Sequence, residues 1–237
     1  MKIALIGYGK MGRTIEKIAL SRGHQIVAKI DPVNGEDFTS PGLKEADVAI
    51  EFTRPETAFI NYLECFRLNL PVVSGTTGWL ERMDEIKALC EKGHTFFYAS
   101  NFSIGMNLFF EINKRLAQLM NSQPQYEVSM TEVHHIHKLD APSGTAITLA
   151  EGILENLSRK KYWELDKPST GDVIGIKAVR EGEVPGTHII NYISDVDEIT
   201  IEHKVTSRDG LAFGAVLAAE FAISRKGFLT MSDMLKF

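Results

Sequence analysis

The densest chemical signal in the chain is the run Glu132-Val133-His134-His135-Ile136-His137-Lys138-Leu139-Asp140-Ala141-Pro142-Ser143-Gly144-Thr145-Ala146. Three of the seven histidines fall within four positions of it. Histidine titrates near neutrality, so it can give or take a proton at working pH. Lys138 adds a cation, and Ser143-Gly144-Thr145 opens a predicted helix whose free N–H groups would attract an anion. Together these residues suit acid–base chemistry on an anionic substrate. A metal centre fits the spacing poorly. Adjacent histidines on a strand point to opposite faces. No His-x-x-x-His stands on a helix, and no carboxylate pair is obvious. A histidine-rich surface loop is the bland alternative, and the neighbouring helix start argues against it.

A second signal lies at the N-terminus. Gly7-Tyr8-Gly9-Lys10-Met11-Gly12 fits G-x-G-x-x-G between an apolar run and a helical pattern. The first glycine permits the tight turn, the second lets backbone approach a pyrophosphate, and the third lets helix pack on strand. Asp31, about 20 residues further on, ends the next apolar run, where a carboxylate can accept hydrogen bonds from a ribose 2′-hydroxyl. A 2′-phosphate would be repelled there, so NADH is the expected cofactor. Lys10 and Arg13 lie close enough in sequence to leave NADPH possible. Gly75-Thr76-Thr77-Gly78 and Ala99-Ser100-Asn101-Phe102-Ser103 follow two further predicted strands, where α/β sheets bind ligands.

These segments need a scaffold. The spacing predicts strands over 2–6, 25–30, 46–52, 72–73 and 95–99, and helices over 11–21, 55–68 and 80–90, with a loop over 33–45. Such alternation implies a doubly wound parallel sheet. The second half changes character. A long helix is expected over 104–120, an alternating strand over 126–135 and a helix over 143–157 with Ser143 as N-cap. Strands are expected at 173–179, 186–194 and 198–206, joined by short turns that favour antiparallel or mixed pairing, and a last helix at 212–224. The 237 residues carry a formal net charge of −5, which disfavours nucleic acid as main partner. No run reaches the length of a membrane helix, and the apolar start is too short for a signal peptide. Cys65 and Cys90 sit in apolar helical patterns and read as buried thiols of a reducing cytoplasm.

The His134–Ala146 run, the glycine turn, Gly75-Thr76-Thr77 and Ala99–Ser103 together resemble the dihydrodipicolinate reductase family over essentially the whole chain. Thr53-Arg54-Pro55-Glu56 also fits that family's segment after the third strand. The resemblance implies reduction of 4-hydroxy-tetrahydrodipicolinate with NAD(P)H in lysine and diaminopimelate biosynthesis. It implies His134 as general acid/base, Lys138 as second proton donor, and His135, Gly144 and Thr145 as substrate contacts. Gly7, Tyr8, Gly9, Lys10, Met11, Gly12, Asp31, Gly75, Thr76, Thr77, Ala99, Ser100, Asn101 and Phe102 would contact the cofactor. No metal is implied. A Rossmann domain over 1–103 and 209–237 would flank a smaller α+β substrate and oligomerisation domain with a mixed sheet over 104–208. The expected assembly is a homotetramer, with an interface on the strands between Val173 and Thr206. The glycine turn is one residue shorter than in many members. Two other readings are a related imine or amino-acid dehydrogenase, and a non-catalytic NAD-binding sensor.

Overall fold

Lys2–Ile6 forms β1, and Ile3, Ala4, Leu5 and Ile6 are all buried, as a strand covered on both faces requires. The computed structural model describes residues 1–33, 36–207 and 209–237. Within it the chain divides into two units, Met1–Ile104 with Asp209–Phe237, and Gly105–Arg208.

In the first unit, β1 is followed by α1 (Lys10–Ser21), β2 (Gln25–Ile30), β3 (Val48–Glu51), α2 (Pro55–Arg67), β4 (Val72–Ser74), α3 (Met83–Glu91) and β5 (Thr95–Tyr98). The unit also contains α6 (Asp209–Ala222), β11 (Gly227–Leu229) and α7 (Met231–Leu235). Its six strands are parallel in the order β11-β5-β4-β3-β1-β2. The strand order reverses at β1 and β3, which makes the carboxyl ends of those strands the expected ligand crevice. One face is covered by α1 and α6 through Ile15, Ala19 and the alanines of α6, the other by α2 and α3 through Phe59, Tyr62, Cys65 and Ile86. Cys65 and Cys90 are buried free thiols.

The second unit begins within α4 (Ile104–Met120) and continues with β6 (Glu127–His134), α5 (Gly144–Leu154), β7 (Tyr162–Leu165), β8 (Val173–Arg180), β9 (Thr187–Ile193) and β10 (Glu198–Lys204). The sheet order is β10-β9-β6-β8-β7. Pairing is parallel for β6 with β8 and β7 with β8, and antiparallel for β9 with β6 and with β10. Helices α4 and α5 cover one face, where Met106, Phe109, Leu149 and Ile153 meet Val128, Met130, Ile176 and Ile190.

Several elements differ from expectation. The strands at 173–179 and 186–194 do not form a hairpin, because β6 lies between them. Glu181 N donates to His134 O at 2.8 Å and Ile136 N to Gly182 O at 3.1 Å, which carries the connection across the end of β6. Helix α5 stops at Leu154, short of 157, where Asn156 Nδ2 satisfies the Gly152 carbonyl at 2.8 Å. Leu80–Arg82 is a 3₁₀ turn ahead of α3, and Pro41–Glu45 is another inside the expected loop. That loop also includes Asn34 and Gly35, which lie outside the described residues, as does the expected domain boundary at Arg208. Three short elements were not foreseen, β7, β11 and α7. The last announces itself by a capping box, with Thr230 Oγ1 accepting from Asp233 N and Asp233 accepting from Thr230 N. No helix of the described residues is long and apolar enough to cross a membrane.

Candidate active site

The first unit gathers four loops at the carboxyl ends of β1, β3, β4 and β5. Gly7 has φ +91°, and a Cβ on it would stand 2.1 Å from Phe52 O, so only glycine fits this turn. A Cβ on Gly12 would stand 2.3 Å from Gly7 O, which fixes how closely α1 follows β1. At Gly9 an added Cβ would meet nothing within 4 Å. Gly9 supplies no side-chain cap, and the first turn of α1 holds no acidic residue. The opening amides of α1, including those of Lys10 and Met11, thus form an open positive end that fits a dinucleotide pyrophosphate.

Asp31, expected to face a ribose, has a structural role in the turn. Its Oδ2 accepts from Tyr8 N and its Oδ1 from Val33 N, both at 2.8 Å, so it closes the glycine turn. Each oxygen keeps a second lone pair for an outside donor. Tyr8 bonds Glu16 through its hydroxyl, and its ring carries Lys29 Nζ at 4.5 Å and the Arg13 guanidinium at 5.1 Å.

Glu51, at the end of β3, is fully buried. Its Oε2 accepts from Ser74 Oγ at 2.7 Å and Thr76 Oγ1 at 2.9 Å, and its Oε1 from Thr53 Oγ1. Thr53 N donates to Thr76 Oγ1 at 2.8 Å, so one carboxylate ties the loops after β3 and β4 together. Gly75 sits against the Phe52 ring, with no room for a Cβ. Thr77 and Ser100 are exposed, whereas Thr76, Ala99 and Phe102 are buried. The Phe102 ring stacks on Phe97 at 5.8 Å, so this residue can offer a ligand only its backbone. Asn101 Oδ1 accepts from Ser103 N at 2.8 Å and shapes the turn into α4. Trp79 is core, with Nε1 donating to Thr76 O at 2.7 Å.

In the second unit, β6 alternates half-buried and buried, which puts Val128, Met130, Glu132 and His134 on the helix-covered face. The register sets Glu132 beside His188 of β9, and His134 beside Arg180 of β8. The face that is hydrocarbon at Val128 and Met130 becomes ionisable at its end. Glu132 Oε1 accepts from Arg180 Nη2 at 3.0 Å and Oε2 from Ser143 N at 3.0 Å. His134 Nδ1 lies 3.5 Å from Glu132 Oε2 and makes no hydrogen bond, while an atom placed as Cβ on Gly186 would stand 3.1 Å from His134 Nε2. His188 Nε2 is 3.3 Å from Ser143 Oγ, and its ring stands edge-on to His134 at 5.2 Å.

Burial pushes the His134 imidazole below its ordinary value. Lys138 and Arg180 add to the effect, and Glu132 and Asp140 oppose it. Burial lowers His188 further, to about 4, with the His134 charge second. Burial raises Glu132, but the Ser143 and Arg180 hydrogen bonds outweigh it and hold the carboxyl below its usual range. Lys138 Nζ donates to both Asp140 oxygens at 2.8 Å, which keeps the Asp140 carboxyl low and leaves one ammonium proton for another acceptor.

Ser143 is the N-cap of α5, its Oγ accepting from Ala146 N at 3.1 Å. The Gly144 and Thr145 amides bond no other described residue, and a Cβ on Gly144 would meet nothing within 4 Å. They form the open helix end expected to hold an anion. His135 is half-buried just past β6, and His137 is exposed with Nε2 3.3 Å from Glu183.

Glu132, His134 and His188 offer donor atoms within 4.8 Å of one another. Both Glu132 oxygens already accept hydrogen bonds, one from a guanidinium and one from the Ser143 amide, so the carboxylate is not a free ligand. Sequence reasoning passed over Glu51, Glu132, Arg180 and His188. Glu132 was within reach, two residues before His134 and therefore on its face of the strand.

Two family models match the chain, "Dihydrodipicolinate reductase, N-terminus" over residues 1–102 and "Dihydrodipicolinate reductase, C-terminus" over residues 105–235. A Christiangramia forsetii protein named 4-hydroxy-tetrahydrodipicolinate reductase is 50% identical over 238 residues, covering 99% of this chain and 98% of its own. One of the same name from Staphylococcus epidermidis is 38% identical over 247 residues, covering 99% of this chain and all of its own. Among solved structures, a dipicolinate-bound dihydrodipicolinate reductase from Paenisporosarcina sp. TG-14 gives a TM-score of 0.76 at 24% identity, covering 98% of each chain. An amine dehydrogenase from Mycobacterium smegmatis gives 0.53 at 11%, covering 99% of this chain and 95% of its own, a likeness of fold alone. With both halves of the family model matched and half its residues shared with a full-length member, the chain belongs to the dihydrodipicolinate reductase family.

Proposed function

We propose that the chain is a 4-hydroxy-tetrahydrodipicolinate reductase. It converts 4-hydroxy-tetrahydrodipicolinate, NAD(P)H and a proton into tetrahydrodipicolinate, water and NAD(P)⁺, a step of lysine and diaminopimelate biosynthesis. The carrying observation is the 50% identity to a reductase of that name along nearly the whole chain. The arrangement of His134, Lys138, Gly144 and Thr145 around the end of β6 and the start of α5 supports it.

NAD(P)H, when bound, supplies the hydride. The amides at Gly9–Gly12 hold its pyrophosphate, Asp31 its adenosine ribose, and the loops at Gly75–Thr77 and Ala99–Phe102 its nicotinamide end. In the second unit, Gly144 N, Thr145 N and the Thr145 hydroxyl bind a substrate carboxylate, with His135 alongside. His134 is held neutral before substrate arrives, since burial and two cations oppose its protonation. The dicarboxylate brings negative charge that raises it, so the imidazole enters the reaction as an acid. Lys138 supplies a second proton and balances the charge that develops on the ring.

Asp31 makes NADH the preferred cofactor in this reading. A homotetramer is the proposed assembly, supported by the sheet face opposite α4 and α5, where Val133, Val179 and Ile189 are half-buried and Ile193 is exposed. The buried free thiols suit a reducing cytoplasm.

The test generates the unstable substrate in situ from pyruvate and aspartate semialdehyde with a dihydrodipicolinate synthase. NADH and NADPH oxidation are followed side by side, with and without 2,6-pyridinedicarboxylate. Rapid oxidation blocked by that product-like diacid is expected, faster with NADH. No oxidation by a folded, NADH-binding protein would overturn the substrate assignment. A clear NADPH preference would overturn the role of Asp31.

A further inference from the structure

Glu132 is a buried carboxylate whose four neighbours come from four different elements. Arg180 belongs to β8, Ser143 caps α5, His188 belongs to β9, and His134 follows two residues on along β6. Its ion-pair partner Arg180 is itself a junction. Arg180 Nη2 donates to Asp140 O at 2.6 Å, Nε to Lys138 O at 3.4 Å and Nη1 to Val179 O at 2.9 Å. The loop that carries Lys138 and Asp140 is thus tied to the same carboxylate that receives the first amide of the α5 cap.

We propose that the Glu132–Arg180 pair is the positioning element that holds the His134 imidazole, the Lys138 loop and the Gly144–Thr145 amides in one arrangement. Neither residue needs to touch substrate. Glu132 faces Nδ1 of His134, which orients the ring so that Nε2, on the Gly186 side, is the atom that exchanges a proton. The carboxylate also steadies the imidazolium when it forms. Arg180 fixes the backbone on either side of Lys138, and the Glu132 to Ser143 bond sets where α5 begins. Charged and titratable groups facing His134 are Glu132 from β6, Arg180 from β8, His188 from β9, and Lys138 and Asp140 from the loop.

This inference rests on the proposed reductase reading, so wild-type protein is assayed beside each variant. Glu132→Gln keeps the volume and removes the charge. Expected is a kcat lower by about 10²-fold, the loss that about 1 Å of misplacement brings. The NADH dissociation constant should stay within about two-fold, because the glycine turn belongs to the other unit. The alkaline limb of the kcat profile should move to lower pH, since His134, which must be protonated to act as the acid, loses its nearest carboxylate. Glu132→Asp, which keeps the charge, should recover part of kcat and return the limb toward its wild-type pH. A merely structural glutamate would lower stability without moving that limb. If Glu132→Gln does not fold, Arg180→Lys is measured instead. It keeps the charge but loses the fork that reaches Glu132 and two carbonyls at once, so substrate KM should rise and kcat fall with NADH affinity unchanged. Wild-type kcat with an unmoved pH profile in Glu132→Gln, or wild-type KM and kcat in Arg180→Lys, overturns the proposal. Absence of turnover by the wild type overturns the reductase reading instead.

Discussion

Gly214 lies inside α6, where Ala212, Ala215, Val216, Ala218, Ala219 and Ala222 are all fully buried. A Cβ on it would stand 1.7 Å from the Phe102 carbonyl oxygen and 2.8 Å from its carbon. Gly214→Ala therefore pits two effects against each other. Alanine in a helix interior gains about 1 kcal/mol over glycine. Against this, α6 and the Phe102 backbone must part by roughly 1.3 Å before contact becomes tolerable. Overpacking of this kind costs about 1–3 kcal/mol, and the upper end applies because the obstacle is backbone and cannot rotate away. The net expectation is a loss of about 2 kcal/mol, a fall of about 4–8 °C in Tm for a protein of this size. Gly210, exposed in the first turn of the same helix, is the control. An added Cβ there meets nothing within 4 Å, so Gly210→Ala should be neutral or gain up to about 1 kcal/mol. Urea unfolding in a Trp163→Phe background reads the first unit through buried Trp79. Because Phe102 ends the loop assigned to the nicotinamide end, KM for NADH should rise in Gly214→Ala as well. Wild-type or greater stability in Gly214→Ala would refute the reasoning.

His134→Gln and Lys138→Met should each lower kcat by about 10²–10⁴-fold while circular dichroism stays native, and near-wild-type turnover in either removes that residue from its role. Thr145→Val should chiefly raise substrate KM, because it removes a hydroxyl but leaves the amide; an unchanged KM with depressed kcat would contradict a binding role. His188 is neutral when folded, with its pKa pushed from 6.5 to about 4, so the unfolded chain binds the extra proton first as pH falls. Its contribution is complete above pH 6.5 and fades toward pH 4, by about 3 kcal/mol in all. The difference between wild-type and His188→Asn stability curves should converge over that window, and parallel curves would refute the assignment.

The first unit was legible because its signals are local. An apolar run, a glycine turn and an amphipathic helix each occupy consecutive residues, and Lys2–Ile6 and Gln25–Ile30 form over the expected bounds. Short edge strands such as Gly227–Leu229 escaped because three residues carry no period. A mixed sheet was expected, but its strand order escaped for a different reason. Turn length says that two strands are close in sequence, yet only the free edges of β6 decide which strands it accepts as neighbours. The same limit hid the polar network. His134 and Lys138 are conspicuous in a dense run, whereas His188 and Arg180 reach Glu132 only through sheet register. Sequence thus exposed the groups with chemistry and concealed those that hold them still.

The split composition of the first unit has a consequence for how the chain matures on the ribosome. Its strands β1 to β5 emerge early, but the face lined by Ile3, Leu5, Val48, Ile50 and Phe97 has no cover from Ala215, Ala219 and Leu229 until synthesis nears residue 230. At the usual pace of elongation that face has only α1 to cover it, and the part that α6 takes stays bare, for on the order of 10 s. Residues 105–208, contiguous in sequence, emerge complete in the meantime. The later-made unit is therefore able to finish folding first, and the nascent parallel sheet, waiting for its last helix, is the stage at which a chaperone would find the most exposed hydrocarbon to hold.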